Sequence, residues 1–249
     1  MKTPVLALAG AFALAGAAVA QAGSCMDAAD RVHVDAGLPR AAAAITSRHE
    51  LRVAVAGSAS SILAGPGGKR AAYPVTLQSA LSERLRDVNA SVVNTAKPRQ
   101  TAADMEAGFG QLLAEQKPTL VIWQTGTSDA MRGVDLDQFR ESLEKGIKLL
   151  QGGGADVILM NMQYSPRTEF MIAPDHYAEI MRGVALREEI PLFDRLAIMK
   201  EWNDEGTFDL STTTKNSEMA EQVHVCIGRL LADLVVEAID FAREAKRDK

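Results

Sequence analysis

Leu51-Arg52-Val53-Ala54-Val55-Ala56-Gly57-Ser58-Ala59-Ser60-Ser61 decides how the chain is read. An apolar run with β-branched residues reads as a buried strand, and Gly57 with the small hydroxyl residues after it breaks that strand into a turn. In sheets built of parallel strands, ligands are held at the carboxyl ends. Such a turn is therefore where chemistry is expected.

The same alternation continues outward. Ser91-Asn94, Leu120-Trp123, Val157-Met160 and Pro191-Phe193 are further short apolar runs. Between them lie helical patterns: Val75 to Arg86, with Leu77, Ala80, Leu81 and Leu85 on one face, and a helix capped by Thr101 and running to about Gln116. Asp135 and Gln138 form a capping-box pattern for a helix ending near Gln151, where Gly152-Gly153-Gly154 stops it. Pro174-Asp175 opens another, and a long final helix is predicted from about Ser217 to Ala245. Strands alternating with helices predict an α/β fold: a parallel sheet covered on both faces, forming one domain over residues 23–249.

The first residues point to export. Met1-Lys2-Thr3-Pro4 is a short basic start, Val5 to Ala20 is apolar, and Ala18-Val19-Ala20 and Ala20-Gln21-Ala22 are small-x-small cleavage sites. Residues 1–22 therefore read as a signal peptide, and the mature protein as periplasmic or secreted, with no transmembrane segment. A net charge of −5 and a pI near 5.5 argue against nucleic acid as a partner. The two cysteines, Cys25 and Cys226, are the natural disulfide in an oxidising compartment. The alternative is a lipidated Cys25, since Ala22-Gly23-Ser24 resembles a lipoprotein cleavage box without its leucine, with Cys226 then a free buried thiol.

Gly57-Ser58-Ala59-Ser60-Ser61, Val121-Ile122-Trp123-Gln124-Thr125-Gly126-Thr127-Ser128, Tyr73-Pro74, Asp156-Val157-Ile158-Leu159-Met160 and Pro191-Leu192-Phe193 occur in an order that resembles the SGNH/GDSL hydrolase superfamily. The likeness is closest to a secreted proteobacterial branch and spans nearly all of the mature chain. It implies a three-layer α/β/α, flavodoxin-like five-stranded parallel sheet and an esterase ancestry. It also implies where the catalytic groups belong, and the residues there are the wrong ones. The nucleophile position falls on Ala59. The oxyanion glycine falls on Arg99, in Asn94-Thr95-Ala96-Lys97-Pro98-Arg99, and the oxyanion asparagine on Ser128. The Asp-x-x-His block falls on Lys215-Asn216-Ser217-Glu218, so the acid is Lys215 and the base Glu218. Without a hydroxyl at 59 no acyl-enzyme forms, and without an imidazole at 218 nothing takes the nucleophile's proton.

A displaced set would have to use Ser58 or Ser60 with one of four histidines. His33 and His49 precede the first strand. His176 lies in the first turn of a helix after the fourth strand, and His224 inside the final helix, where packing is the simpler reading. Gly65-Pro66-Gly67-Gly68-Lys69 lacks phosphate-loop spacing. Asp135/Asp137 and Asp204/Glu205/Asp209 lack a metal-loop pattern, and no metal or cofactor is expected. The sequence thus predicts a secreted hydrolase homologue with a binding or scaffolding role at the cell envelope. Candidate ligand contacts are Ser58, Ser60, Arg99, Ser128, Asp129 and Glu218. An ion pair between Arg99 and Glu218 would fill the old cleft; if Lys97 and Arg99 face solvent instead, an acidic sugar is the suggested ligand. An acetylated sugar or an envelope protein are the other suggested partners. The alternative is an active serine esterase or carbohydrate deacetylase built from Ser58 or Ser60 with His176 or His224.

Overall fold

The computed structural model describes Cys25 and residues 34–63, 67–211 and 217–247. The expected leader, His33 and Lys215 lie outside the described residues. Five strands, β1 (Glu50–Ala56), β2 (Asn89–Asn94), β3 (Leu120–Gln124), β4 (Asp156–Met160) and β5 (Leu192–Phe193), form one sheet in the order β2-β1-β3-β4-β5. Every pairing is parallel. All residues of β3 and β4 are buried, which is why these strands read as unbroken apolar runs rather than alternating ones.

Helices cover both faces. On one side α1 (Pro39–Arg48), α3 (Tyr73–Arg84) and the long α11 (Glu218–Arg247) pack together, with the short α2 (Gly68–Ala71) at their edge. On the other side α7 (Leu136–Gly152) packs against α4 (Ala102–Glu106), α5 (Phe109–Gln116) and α9 (Pro174–Arg187). Three further helices, α6 (Thr127–Arg132), α8 (Pro166–Met171) and α10 (Arg195–Asp204), follow the carboxyl ends of β3, β4 and β5. None of the three was legible as a helix in the sequence pattern.

Two joints fix the layers. Asp156, buried at the start of β4, accepts the backbone N–H groups of Arg40 and Ala41 at 2.8 Å each and so caps α1 across the sheet. Burial raises the pKa of its carboxyl, against those hydrogen bonds and the Arg40 guanidinium, which lower it. The helix expected from Thr101 to Gln116 is two helices. Thr101 and Asp104 form a capping box, but the helix stops at Ala107-Gly108, where glycine is a poor helix former. The break turns Phe109 edge-on to Trp123, with ring centroids 4.8 Å apart.

Cys25 and Cys226 form a disulfide spanning 201 residues, which ties the N-terminal segment to α11. No helix among the described residues is long and apolar enough to cross a membrane. In the chain-entropy account, closing so long a loop stabilises by about 5 kcal/mol. Urea unfolding with and without reductant should differ by a few kcal/mol, and Cys226→Ser should abolish that difference; equal midpoints would show that the crosslink constrains nothing.

Candidate functional site

The strand order reverses direction between β1 and β3: from β1 the chain goes outward to β2 on one side, then to β3 on the other. Crevices form at the carboxyl ends of strands at such a switch point. Here that position is marked by Gly57, just after β1, and Gln124, the last residue of β3. After Gly57 the chain makes a 3₁₀ turn over Ala59–Ser61. Gly57 is required by crowding: a Cβ there would lie 2.4 Å from Ser61 Oγ and 3.2 Å from Gln124 Oε1.

The turn sorts its side chains. Ala59 is exposed, while Ser58, Ser60 and Ser61 are buried. The three hydroxyls point into a network whose directions can be assigned. The Ser58 N–H can only donate, so the Gln124 oxygen must face it, at 3.0 Å. That oxygen also accepts the hydroxyls of Ser58 at 3.1 Å and Ser61 at 3.0 Å. Having given its proton to Gln124, Ser61 Oγ accepts from Tyr73 Oη, 2.9 Å away. Ser60 Oγ lies 3.5 Å from Ser58 Oγ and accepts from Arg195 Nη2 at 3.1 Å. Both arms of the network end on one amide oxygen.

Arg195 is the least expected member. It opens α10 at the carboxyl end of β5, is 1 % exposed, and reaches over the sheet to donate to the Ser60 carbonyl at 3.3 Å as well as to its hydroxyl. No carboxylate pairs with it among the described residues. Its neighbour Asp194 is occupied elsewhere, accepting from Arg182 Nε at 2.7 Å, Asn161 Nδ2 at 2.6 Å and the Ala197 N–H. Burial pushes the guanidinium down to about 10, with the Tyr73 phenol opposing that shift. Two buried donors in this region have no partner, Arg195 Nε and Gln124 Nε2, and neither has Thr127 Oγ1.

The candidate bases stand apart from the serines. His224, 6 % exposed in α11, uses Nδ1 to accept the Tyr73 N–H at 3.0 Å. Burial, and then the charge of Arg195, push its pKa down to about 3. His176 is exposed on α9. His49 is the left-handed C-cap of α1, at the opposite end of the sheet. No hydrogen bond joins a serine to a histidine among the described residues.

The remaining family positions are scattered in role. Arg99 is exposed and adopts φ 66°, a left-handed conformation that glycine accommodates more easily. Its carbonyl accepts from Arg132 Nη2 at 2.7 Å, and no ion pair joins it to Glu218 among the described residues. Glu218 is exposed at the first turn of α11. Lys97 is exposed beside Arg99. Ser128 is buried in the first turn of α6. Asp129 holds the loop itself: it accepts the N–H groups of Ala102 at 2.9 Å and Gly126 at 3.3 Å and the Thr125 hydroxyl at 3.3 Å. Its carboxyl is raised by burial, opposed by those bonds.

Of the six sequence-derived ligand candidates, the structure brings Ser58 and Ser60 together. It leaves Arg99 and Glu218 on the surface and gives Asp129 a loop-holding task. The sequence reading passed over Tyr73, Ser61, Gln124 and Arg195 as site residues. Arg195 had a signal, since it directly follows Asp194 at the carboxyl end of the fifth strand, an edge where ligands are held.

Comparison with known proteins agrees with this architecture. The chain is 32% identical over 94 residues to an arylesterase of Vibrio mimicus, covering 38% of this chain and 46% of that protein. It is 34% identical over 88 residues to esterase TesA of Pseudomonas aeruginosa, covering 34% of this chain and 44% of the relative. The chain thus matches less than half the length of these relatives. Among solved structures, TesA aligns with a TM-score of 0.57 at 23% identity, covering 76% of this chain and 98% of that one. A catalytic mutant of Axe2, an acetylxylan esterase from Geobacillus stearothermophilus, aligns with a TM-score of 0.60 at 17% identity over 76% and 94%. At these identities the structures attest the fold alone. The model of the Non-GDSL lipase-like family matches residues 24–241. With nearly the whole described sheet and its helices inside that match, the chain belongs to the Non-GDSL lipase-like family, within the SGNH/GDSL hydrolase superfamily.

Proposed function

We propose that this protein keeps the hydrolase fold without the hydrolase reaction and serves as a binding or scaffolding protein of the cell envelope. One observation carries the reading. At the turn after β1 the outward side chain is the methyl of Ala59, and the neighbouring hydroxyls turn inward to an amide oxygen. A serine becomes a nucleophile when a base removes its proton. Gln124 Oε1 accepts a hydrogen bond but has no useful basicity, and Ser60 Oγ is held by a cation. Export is supported by the leader-like start and by the disulfide, which persists in oxidising compartments. The ligand that the sequence suggests, an acidic or acetylated sugar, is part of this proposal.

A working esterase is the competing reading, favoured by the identity to the arylesterase over 94 residues. It would require Ser58 or Ser60 to leave the network and meet His176 or His224. A fluorophosphonate probe followed by peptide mapping, with aryl acetate turnover, separates the two. No adduct and no turnover above buffer are expected. Ala59→Ser is expected to remain silent as well, because a hydroxyl restored at 59 still lacks an imidazole. Capture of Ser58 or Ser60 would establish the esterase instead.

His224 offers an independent check. Its pKa is about 3 in the folded protein against an ordinary 6.5, so the unfolded chain binds more protons between those values. Its contribution to stability is complete above pH 6.5 and is lost as pH falls toward 3. Urea unfolding free energies should therefore fall with acidification more steeply in the wild type than in His224→Gln, by up to about 1.4 kcal/mol per pH unit. Parallel slopes would mean that His224 stays accessible to protons and available as a base.

A further inference from the structure

The hydrogen-bonding capacity at the carboxyl edge is out of balance. Arg195 offers five N–H donors and no acceptor, and Gln124 adds an amide with two more. Within the network the acceptors are the Ser60 carbonyl, the serine oxygens and Gln124 Oε1, and Gln124 Oε1 already accepts three hydrogen bonds. Arg195 Nε and Gln124 Nε2 are left over, both on side chains at most 1 % exposed. The two belong to one chain of contacts, running from Arg195 through Ser60 and Ser58 to Gln124.

Such an imbalance has a definite chemistry. Unpaired buried donors are costly, and an uncompensated buried cation more so. Asp194, the carboxylate nearest in sequence, is committed to Arg182 and Asn161. What the cluster lacks is an acceptor bearing negative charge, with two oxygens to meet two donors. Guanidinium groups bind carboxylates in this way, through paired charge-assisted hydrogen bonds.

We propose that Arg195 and Gln124 bind the carboxylate group of an acidic ligand at the carboxyl edge of β1 and β3. The inference rests on the non-catalytic reading above and gives it a ligand class. It also moves anion recognition from the exposed Lys97 and Arg99 to a buried guanidinium that none of the family's motif blocks includes. Entry would pass the exposed Ala59, which lies between the buried Ser58 and Ser60.

Arginine side-chain NMR spectra of the intact mature protein test this directly, titrated with sodium acetate and sodium glucuronate against sodium chloride at matched ionic strength. The Arg195 Nε–H signal should move saturably with at least one carboxylate and not with chloride. Arg195→Lys, which keeps the charge and can still reach Ser60, should weaken binding at least about tenfold by losing the paired donors. Arg195→Met removes a fully buried side chain and could fail to fold, so the wild-type titration and Arg195→Lys decide the matter. No saturable movement with either carboxylate, or equal affinity in Arg195→Lys, would overturn the proposal. The outcomes stay separable from those of the catalytic test: absent binding leaves an inert protein without this site. Ester turnover would instead overturn the non-catalytic reading while the anion titration still stands on its own result.

Discussion

A guanidinium buried with no carboxylate partner among the described residues is the constraint around which the carboxyl edge of this sheet is organised. A cation out of water must be surrounded by oriented acceptors, and Arg195 finds them in the carbonyl and hydroxyl of Ser60. Ser60 is thereby fixed in place, and Ser58 beside it gives its own proton to Gln124. Tyr73 and Ser61 complete the other arm. The same positive charge helps keep His224 neutral. Each of these polar groups would carry a different meaning if Arg195 were apolar.

The contrast between position 59 and its neighbours then has a physical explanation. The 3₁₀ turn here presents Ala59 outward and buries Ser58, Ser60 and Ser61, so a turn rich in serine need not offer any serine to a substrate. The residue at the outward position decides, and here it is alanine. The backbone has changed less than the side chains. Arg99 keeps a left-handed φ at a position where the family resemblance implies glycine, and Gly126, at φ 101°, still admits the close approach of Met162.

Much of this was legible in the sequence. The parallel sheet followed from short apolar runs spaced by helical patterns, because strands buried on both faces need no polar alternation. Thr101 and Asp135 both cap their helices as their patterns suggested, although the box expected between Asp135 and Gln138 is only half formed, with Asp135 accepting the Gln138 N–H and no return bond from the Gln138 side chain. The break at Gly108 was missed because helix periodicity continues across it, and only the packing of Phe109 on Trp123 shows why the axis must turn. The buried network was harder. Serine, glutamine, tyrosine and arginine are surface residues by default, and nothing in their spacing reveals that three strand ends and the start of a distant helix bring them together. His224 was read as a packing residue, and its acceptance of the Tyr73 N–H gives that reading a partner.

The central claim is that the serine protons at the turn are directed to an amide oxygen and not to a base. Neutron diffraction from crystals of the mature protein would locate those protons. The account requires hydroxyl hydrogens on Ser58 and Ser61 aimed at Gln124 Oε1, with Arg195 fully protonated against Ser60. A hydroxyl hydrogen lying between a serine and an imidazole nitrogen would contradict it.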